Sequence, residues 1–239
     1  MKEKEYLYSK VNEVFYNEDR FTLFIGNGKY IYGITGENLD SVYGKIINYK
    51  TIYDTLVDID FKIKYSFDQA IKLAYSKAVK ENYSIIHNKS NEEKMAYYFI
   101  ENALFRTSTL WDMLAQLYRL KYKLNIKSNN VYYNKIFSSN SPFWNLYSNK
   151  ATEISEYIIE EDNIDVEGEW KGNHKFVNDC RNKMTHRNSP NISVISDYDI
   201  NFKHHPSFML KRVIEDYNVA SKYINDILKD IELELMEEY

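Results

Sequence analysis

A mainly α-helical fold is predicted: an antiparallel helical bundle over residues 67–239, preceded by a small N-terminal appendage, residues 1–66, that contains a β-hairpin. Three observations carry this expectation. Apolar residues recur at helical spacing from about Phe67 onward. The stretch from Ser90 to Tyr122 runs without glycine or proline. Strand-like texture, by contrast, is concentrated in the first 66 residues around a glycine-containing turn. At 239 residues the chain has room for one large domain, or one domain with an appendage, and for a substantial core.

Within the appendage, the aromatic segments Phe21 to Ile25 and Tyr30 to Tyr32 flank Gly26-Asn27-Gly28-Lys29, which reads as a hairpin turn. A phosphate-binding loop is excluded there, because neither a GK[ST] ending nor a G-x-G-x-x-G fingerprint is present. The first helix is expected over Phe67 to Asn82, where Ala70, Ile71, Ala74, Ala78 and Val79 share a face. A turn through His87 and Asn88 follows. Ser90 and Glu93 form a capping box that opens a helix of about 30 residues, about 45 Å long at 1.5 Å per residue. Met95, Ala96, Phe99, Ala103, Leu110, Met113, Leu114 and Leu117 line one stripe of it. Arg106 falls inside that stripe, as a structural arginine or as a group reaching into a site.

After a loop through Ser141-Pro142-Phe143-Trp144, an acidic helix is expected over Lys150 to Glu160. Asn173 is then a good N-cap for a helix from about His174 to Arg187 that stops near Asn188-Ser189-Pro190. A loop with little periodicity leads to His205-Pro206. The last helix starts around Ser207, with Met209, Val213, Tyr217, Ala220, Ile224, Ile227, Ile231 and Leu235 on one stripe, long enough to pair with the helix from Ser90. No internal repeat is present.

Composition narrows the function classes. Cys180 is the sole cysteine, so no intrachain disulfide and no paired-cysteine metal site can form, and a reducing cytoplasm is the natural setting. No signal-peptide h-region and no apolar run of membrane-spanning length is found, so no membrane partner is expected. Twenty-three tyrosines suggest stacking platforms for bases, but the Tyr, Lys, Ile and Asn bias runs along the whole chain, as an AT-rich coding sequence would impose. A net charge of -4 argues against a surface coated in basic groups. Charge is unevenly spread, however. Residues 151–170 hold eight acidic side chains and no basic one, whereas residues 171–187 carry Lys171, Lys175, Arg181, Lys183 and Arg187 against Asp179 alone.

That basic stretch is the candidate site. On the helix from His174, the residues Phe176, Val177, Cys180 and Met184 cluster on one side and face the core. Arg181, Asn182, Thr185 and His186 fall on the other, with Asn182 and His186 one turn apart. An outward polar face is usually only a solvated face. Spacing alone adds little, since an arginine followed by a histidine after four to six residues arises by chance in about one such chain in three. Asparagine directly after the arginine makes the pattern far rarer, about one in a hundred. His204-His205 beside Pro206 invites a metal site, but without cysteines or an H-E-x-x-H pattern it reads as capping or loop. His87 and His174 stand alone and read as surface or capping residues.

Arg181-Asn182-Lys183-Met184-Thr185-His186 resembles the R-x4-6-H signature of the HEPN superfamily, in which a polar residue, often Asn, follows the arginine. The segment Phe105 to Leu114 is also similar, less specifically, to the long core helix of bacterial HEPN proteins. The resemblance covers about residues 67–239. It implies a homodimer whose motif helices meet, bringing two arginines and two histidines into one cleft. It further implies a metal-independent endoribonuclease with no cofactor, in which the RNA 2′-hydroxyl attacks the adjacent phosphorus to leave a 2′,3′-cyclic phosphate and a 5′-hydroxyl. Arg181 would then bind the phosphate and stabilise its growing charge, and Asn182 would orient the phosphate or the imidazole. His186 would serve as general base or acid. Lys175, Lys183 and Arg187 would attract the RNA backbone. A growth-arresting toxin with a cognate antitoxin, or an antiphage effector, is the setting such proteins imply. Two other readings stay open: a non-catalytic HEPN dimer that binds nucleotide, RNA or a partner protein, and an Arg181–His186 pair that merely bridges a dimer interface. The acidic stretch Glu153 to Glu169 could also fold over the basic helix and limit RNA access, or be a solvated surface.

Overall fold

In the computed structural model, which describes residues 3–21, 24–25, 29–30, 41–87, 89–146, 149–163, 170–197 and 200–237, the chain is mainly helical. Helix α1 (Glu3–Glu13) comes first and packs through Leu7 and Val11. Two short antiparallel strands follow, β1 (Phe24–Ile25) and β2 (Lys29–Tyr30), paired as Phe24 with Tyr30 and Ile25 with Lys29. The turn expected at Gly26-Asn27-Gly28, the segment Ile31–Tyr32 and Asn88 lie outside the described residues.

Helix α2 (Val42–Ala74) runs unbroken across the boundary expected between residues 66 and 67. Its buried residues Tyr49, Tyr53, Leu56, Asp60, Ile63, Phe67, Ala70 and Ala74 alternate four- and three-residue steps, the spacing that keeps one seam facing a partner. Residues 42–66 therefore belong to the bundle core, which corrects the appendage expected to end at residue 66. The helix expected over 67–82 is likewise two: α2 ends at Ala74, and α3 (Lys77–Asn82) restarts after Ser76, whose hydroxyl accepts from the Val79 N–H at 3.3 Å.

Helix α4 (Asn91–Lys121) opens where expected, with the Ser90 hydroxyl accepting from the Glu93 N–H at 3.1 Å. Only half of the capping box forms. The Glu93 carboxylate turns inward to the Lys203 ammonium at 2.5 Å, both side chains buried. The core face of α4, through Ala96, Ile100, Ala103, Thr107, Leu110, Trp111 and Leu114, largely coincides with the expected stripe but differs at its edges. Met95 is consequently exposed, and Arg106 lies at the edge of the core, donating to the backbone and side-chain oxygens of Asn102 at 2.9 and 3.0 Å. A structural role is what this leaves it.

A long connection then carries α5 (Tyr133–Ile136), α6 (Asn149–Ile159), α7 (Asn173–His186), and the antiparallel strands β3 (Val194–Ile195) and β4 (Ile200–Asn201) before α8 (Pro206–Glu237). Contacts along α4 and α8 advance together: Glu93 meets Lys203 just before α8, Trp111 meets Asp216, and Lys121 meets Glu234. These two helices therefore run parallel within a bundle expected to be antiparallel, and the intervening 122–205 segment brings the chain back to make it so. Helix α2 is antiparallel to both. Its early residues Lys45 and Tyr49 lie beside Arg119 and Leu235 near the far ends of α4 and α8. Further along, Tyr65 stacks edge-on to Phe99, and the Tyr217 hydroxyl donates to Asp60 at 2.5 Å. Burial of Met209, Val213, Tyr217, Ala220, Ile224, Ile227 and Ile231 makes α8 the central helix, touching α1, α2, α4 and α7. Among the described residues, no helix is long and apolar enough to cross a membrane.

Candidate functional site

Helix α7 begins at a glycine, one residue earlier than expected. Gly172 takes the left-handed backbone (φ 64°), and the backbone of Asp162 and Glu161 lies where a β-carbon would project, as near as 2.5 Å. Asn173, the expected cap, is instead the first helical residue and is buried. The start of the helix is clamped by Arg212 of α8, whose side chain is fully buried. Its Nη2 donates to Asp162 Oδ1 at 2.9 Å and to the carbonyls of Lys171 and Gly172 at 3.0 and 3.1 Å. The guanidinium also lies over the Phe176 ring, 4.7 Å from its centroid.

With that start fixed, Phe176, Val177 and Cys180 face the core and Met184 packs against it, as their spacing predicts. Burial pushes the Cys180 thiol up to about 12, so it carries no thiolate chemistry at neutral pH. Arg181 is half-buried, and Asn182 and His186 are exposed. None of these three side chains makes a hydrogen bond or ion pair among the described residues. An unpaired guanidinium beside an unpaired amide is a group left available for something else.

What Arg181 and Asn182 border is an open cleft of about 790 Å³ between α7, the start of α5, α6 and one side of α4. Asp112 of α4, Tyr132, Tyr133 and Lys135 of the α5 turn, and His174 and Lys175 of α7 line it with them. Asp112 holds the α5 turn in place by accepting from the Tyr133 backbone N–H at 3.2 Å. Burial raises the Asp112 carboxyl, while that N–H and the Arg181 charge pull it down. Lys135 lies over the Tyr132 ring at 5.1 Å.

The expected residues are only partly gathered here. Arg181, Asn182 and Lys175 line the cleft, whereas His186, Lys183 and Arg187 do not. Lys175 is bracketed by Glu161 at 3.7 Å and Asp179 at 3.9 Å, so its charge is partly spent within the protein. Lys183 is exposed, and its charge acts on Cys180 and His204. Arg187 is the exposed residue that follows the helix. Of the acidic stretch, Glu161 and Asp162 fold back toward α7 and α8 through Lys175 and Arg212, and residues 164–169 lie outside the described residues.

No protein-family model, no curated protein and no solved structure matches this chain. Its functional reading rests on its own residues and their placement.

His174, expected to be a surface or capping residue, is corrected most sharply: it is 3 % exposed. Its Nδ1 faces Asp216 Oδ1 at 3.3 Å and its Nε2 faces the Tyr133 hydroxyl at 3.1 Å. Asp216 has no exposed surface and also accepts from Trp111 Nε1 at 3.2 Å and the Tyr157 hydroxyl at 3.3 Å. A carboxylate only accepts, so Nδ1 carries the proton in the His174–Asp216 pair. Nε2 then accepts the Tyr133 hydroxyl proton when the ring is neutral, and donates to the Tyr133 oxygen when both ring nitrogens are protonated. Burial first, then the Asp216 charge, pushes the Tyr133 phenol up to about 12, while Arg181 opposes the rise. The result is a buried Asp–His–Tyr chain whose last residue, Tyr133, lines the cleft that Arg181 also lines.

Sequence reasoning passed over this chain although two signals were present. His174 lies seven residues before Arg181, two turns back on the same face. Asp216 interrupts the apolar run Val213, Ile214, Tyr217, Ala220, and a carboxylate in such a run must be paired. His204 and His205 do take the capping and loop roles expected of them. His205 Nδ1 accepts from the Ser207 N–H at 3.1 Å at the start of α8, and the His204 ring packs on Phe208. Among the described residues, no group of three or more His, Cys, Asp or Glu side chains is placed to hold a metal ion.

Proposed function

We propose that this chain is a metal-independent endoribonuclease of HEPN type, acting as a homodimer on RNA. The observation that carries the reading is the unpaired Arg181 guanidinium, next to the unpaired Asn182 amide, at the edge of a 790 Å³ cleft. A planar, permanent cation with no internal partner suits a phosphodiester whose equatorial oxygens gain charge as the 2′-oxygen attacks. His186, one turn beyond Asn182, is exposed and available as a base to a strand that spans two motif helices. The cleft is close to charge-balanced, with Arg181, Lys135 and Lys175 against Asp112, Glu161 and Asp179, so affinity for RNA is modest and depends on the dimer doubling the site.

A second reading is favoured by one fact: His186 does not line the cleft of its own protomer. A module that only binds RNA or a nucleotide through Arg181 and Asn182 fits that placement. Purified protein incubated with total RNA in EDTA separates the two. The nuclease yields 2′,3′-cyclic phosphate ends and loses at least about 100-fold activity in Arg181→Ala and in His186→Ala. Equal cleavage by wild type and variants points to contamination and removes the proposal. Saturable RNA binding without cleavage moves the assignment to the binding module.

A further inference from the structure

Any proton donor for the departing 5′-oxygen has to come from a group that touches the cleft, and His186 of the same protomer does not. Of the lining groups, Lys175 is engaged by Glu161 and Asp179, and Lys135 sits over the Tyr132 ring. Tyr133 differs from them all. Its ring is packed against His174 and Trp111, its backbone is tied to Asp112, and its hydroxyl meets His174, which in turn meets the fully buried Asp216, while the residue itself lines the cleft. Asp112, Tyr133 and Arg181 line the same cleft, so the phosphate-binding candidate and Tyr133 border one space.

We propose that Tyr133, backed by His174 and Asp216, is the general acid that protonates the leaving 5′-oxygen in the Arg181 cleft. This rests on the ribonuclease reading. In the step, the O2′–P bond forms as the P–O5′ bond breaks, and the 2′-hydroxyl proton goes to the general base, which in that dimeric reading is His186 of the partner subunit. The electron pair of the breaking bond leaves with O5′, which takes the Tyr133 proton. The phenol oxygen takes a proton from Nε2 of a doubly protonated His174, whose imidazolium is balanced by the Asp216 carboxylate until then. Solvent protons return His174 to its starting state once product has left. The donor–acceptor distances of 3.1–3.3 Å along the chain are within hydrogen-bond reach.

A purely structural role for the same chain is the alternative, since Trp111, Tyr133, Tyr157 and His174 also form an aromatic cluster. Tyr133→Phe separates the two. It keeps the ring and removes the one oxygen. The test compares wild type and Tyr133→Phe on an RNA with one natural scissile linkage and on the same RNA carrying a 5′-bridging sulfur there, whose thiolate departs without a proton. The expected result is a loss of about 100-fold or more on the natural linkage, near-wild-type cleavage of the sulfur linkage, and unchanged RNA affinity. His174→Gln should show the same rescue if it folds. If Tyr133→Phe cleaves the natural linkage at the wild-type rate, or if sulfur fails to rescue it, the acid assignment is overturned while the nuclease reading stands. If wild type cleaves neither RNA, the nuclease reading falls and the acid role falls with it.

Discussion

Replacing Gly172 with alanine should loosen the candidate site from its supporting core, and the structure sets the size of the effect. Two costs combine. The backbone there has φ 64°, a left-handed conformation that costs an ordinary L-residue about 1–2 kcal/mol. The added methyl would also stand 2.5 Å from the Asp162 nitrogen and 2.6 Å from its Cα, both backbone atoms that cannot swing aside. Moving them strains the Glu160 carboxylate contact to the Gly172 N–H at 2.8 Å and the Arg212–Asp162 pair at 2.9 Å. Overpacking of this kind costs about 1–3 kcal/mol.

The sum is about 3 kcal/mol, which in a chain of this size lowers the melting temperature by about 6–12 °C. Thermal unfolding followed by circular dichroism, with a guanidinium titration to check that the slope is unchanged, measures it. Gly172→Asn apportions the two costs, because asparagine tolerates the left-handed region better than alanine but carries the same β-carbon. If Gly172→Asn is as damaging as Gly172→Ala, the close approach dominates. A Gly172→Ala protein melting within 2 °C of wild type would refute the argument that residues 161–162 are packed onto the helix start.

Two further outcomes follow from buried charge. Lys203→Met should cost about 3–5 kcal/mol, because Glu93 would be left ionised and unpaired with its side chain 1 % exposed, whereas Lys203→Met/Glu93→Leu should recover most of that loss in the same melts. A double variant no better than the single would show that the pair is not what matters there. Burial lowers both His204 and His205, with the Lys183 charge also pushing His204 down. Their contribution to stability is present in full above the unfolded value near 6.5 and is lost as pH falls through it toward the depressed folded values. Wild type should thus melt lower at pH 5.5 than at 7.5, by more than a His204→Gln/His205→Gln variant does; equal differences would count against it.

How much of this could be read from the chain depends on which residues carry period and which interrupt it. The apolar side of α7, the extent of α6 and α8, and the start of α4 at Ser90 all follow from spacing and caps, which are local properties. Helix α2 was hidden because Asp60 stands within its seam and draws its partner, the Tyr217 hydroxyl, from 157 residues away. On α4 the expected stripe is largely the core face, with Ala96, Ala103, Leu110, Leu114 and Leu117 buried. Its edges differ: Glu93 and Thr107 are buried polar residues that hydrophobicity passes over, and Met95 is an exposed apolar one that it includes. The parallel course of α4 and α8 was not legible at all, since the direction of the last helix depends on how the 122–205 connection folds.

The polar residues that obscure the pattern are also the ones that hold the candidate site. Arg212 and Asp216 lie one turn apart on α8, and each reaches the first turn of the motif helix, one through the carbonyls of Lys171 and Gly172 and the other through His174. Burying a guanidinium and a carboxylate in the central helix is costly unless they are tied down. The start of α7 ties Arg212 through Nη2 alone, its Nε and Nη1 having no partner among the described residues, and ties Asp216 through His174. That requirement transmits along a single rigid helix to Arg181, two turns from His174. The cleft geometry is therefore a consequence of the packing of α8. A shift of α8 by one residue would orphan both charges before it moved Arg181, and for that reason the position of the guanidinium in the cleft is tied to the stability of the core.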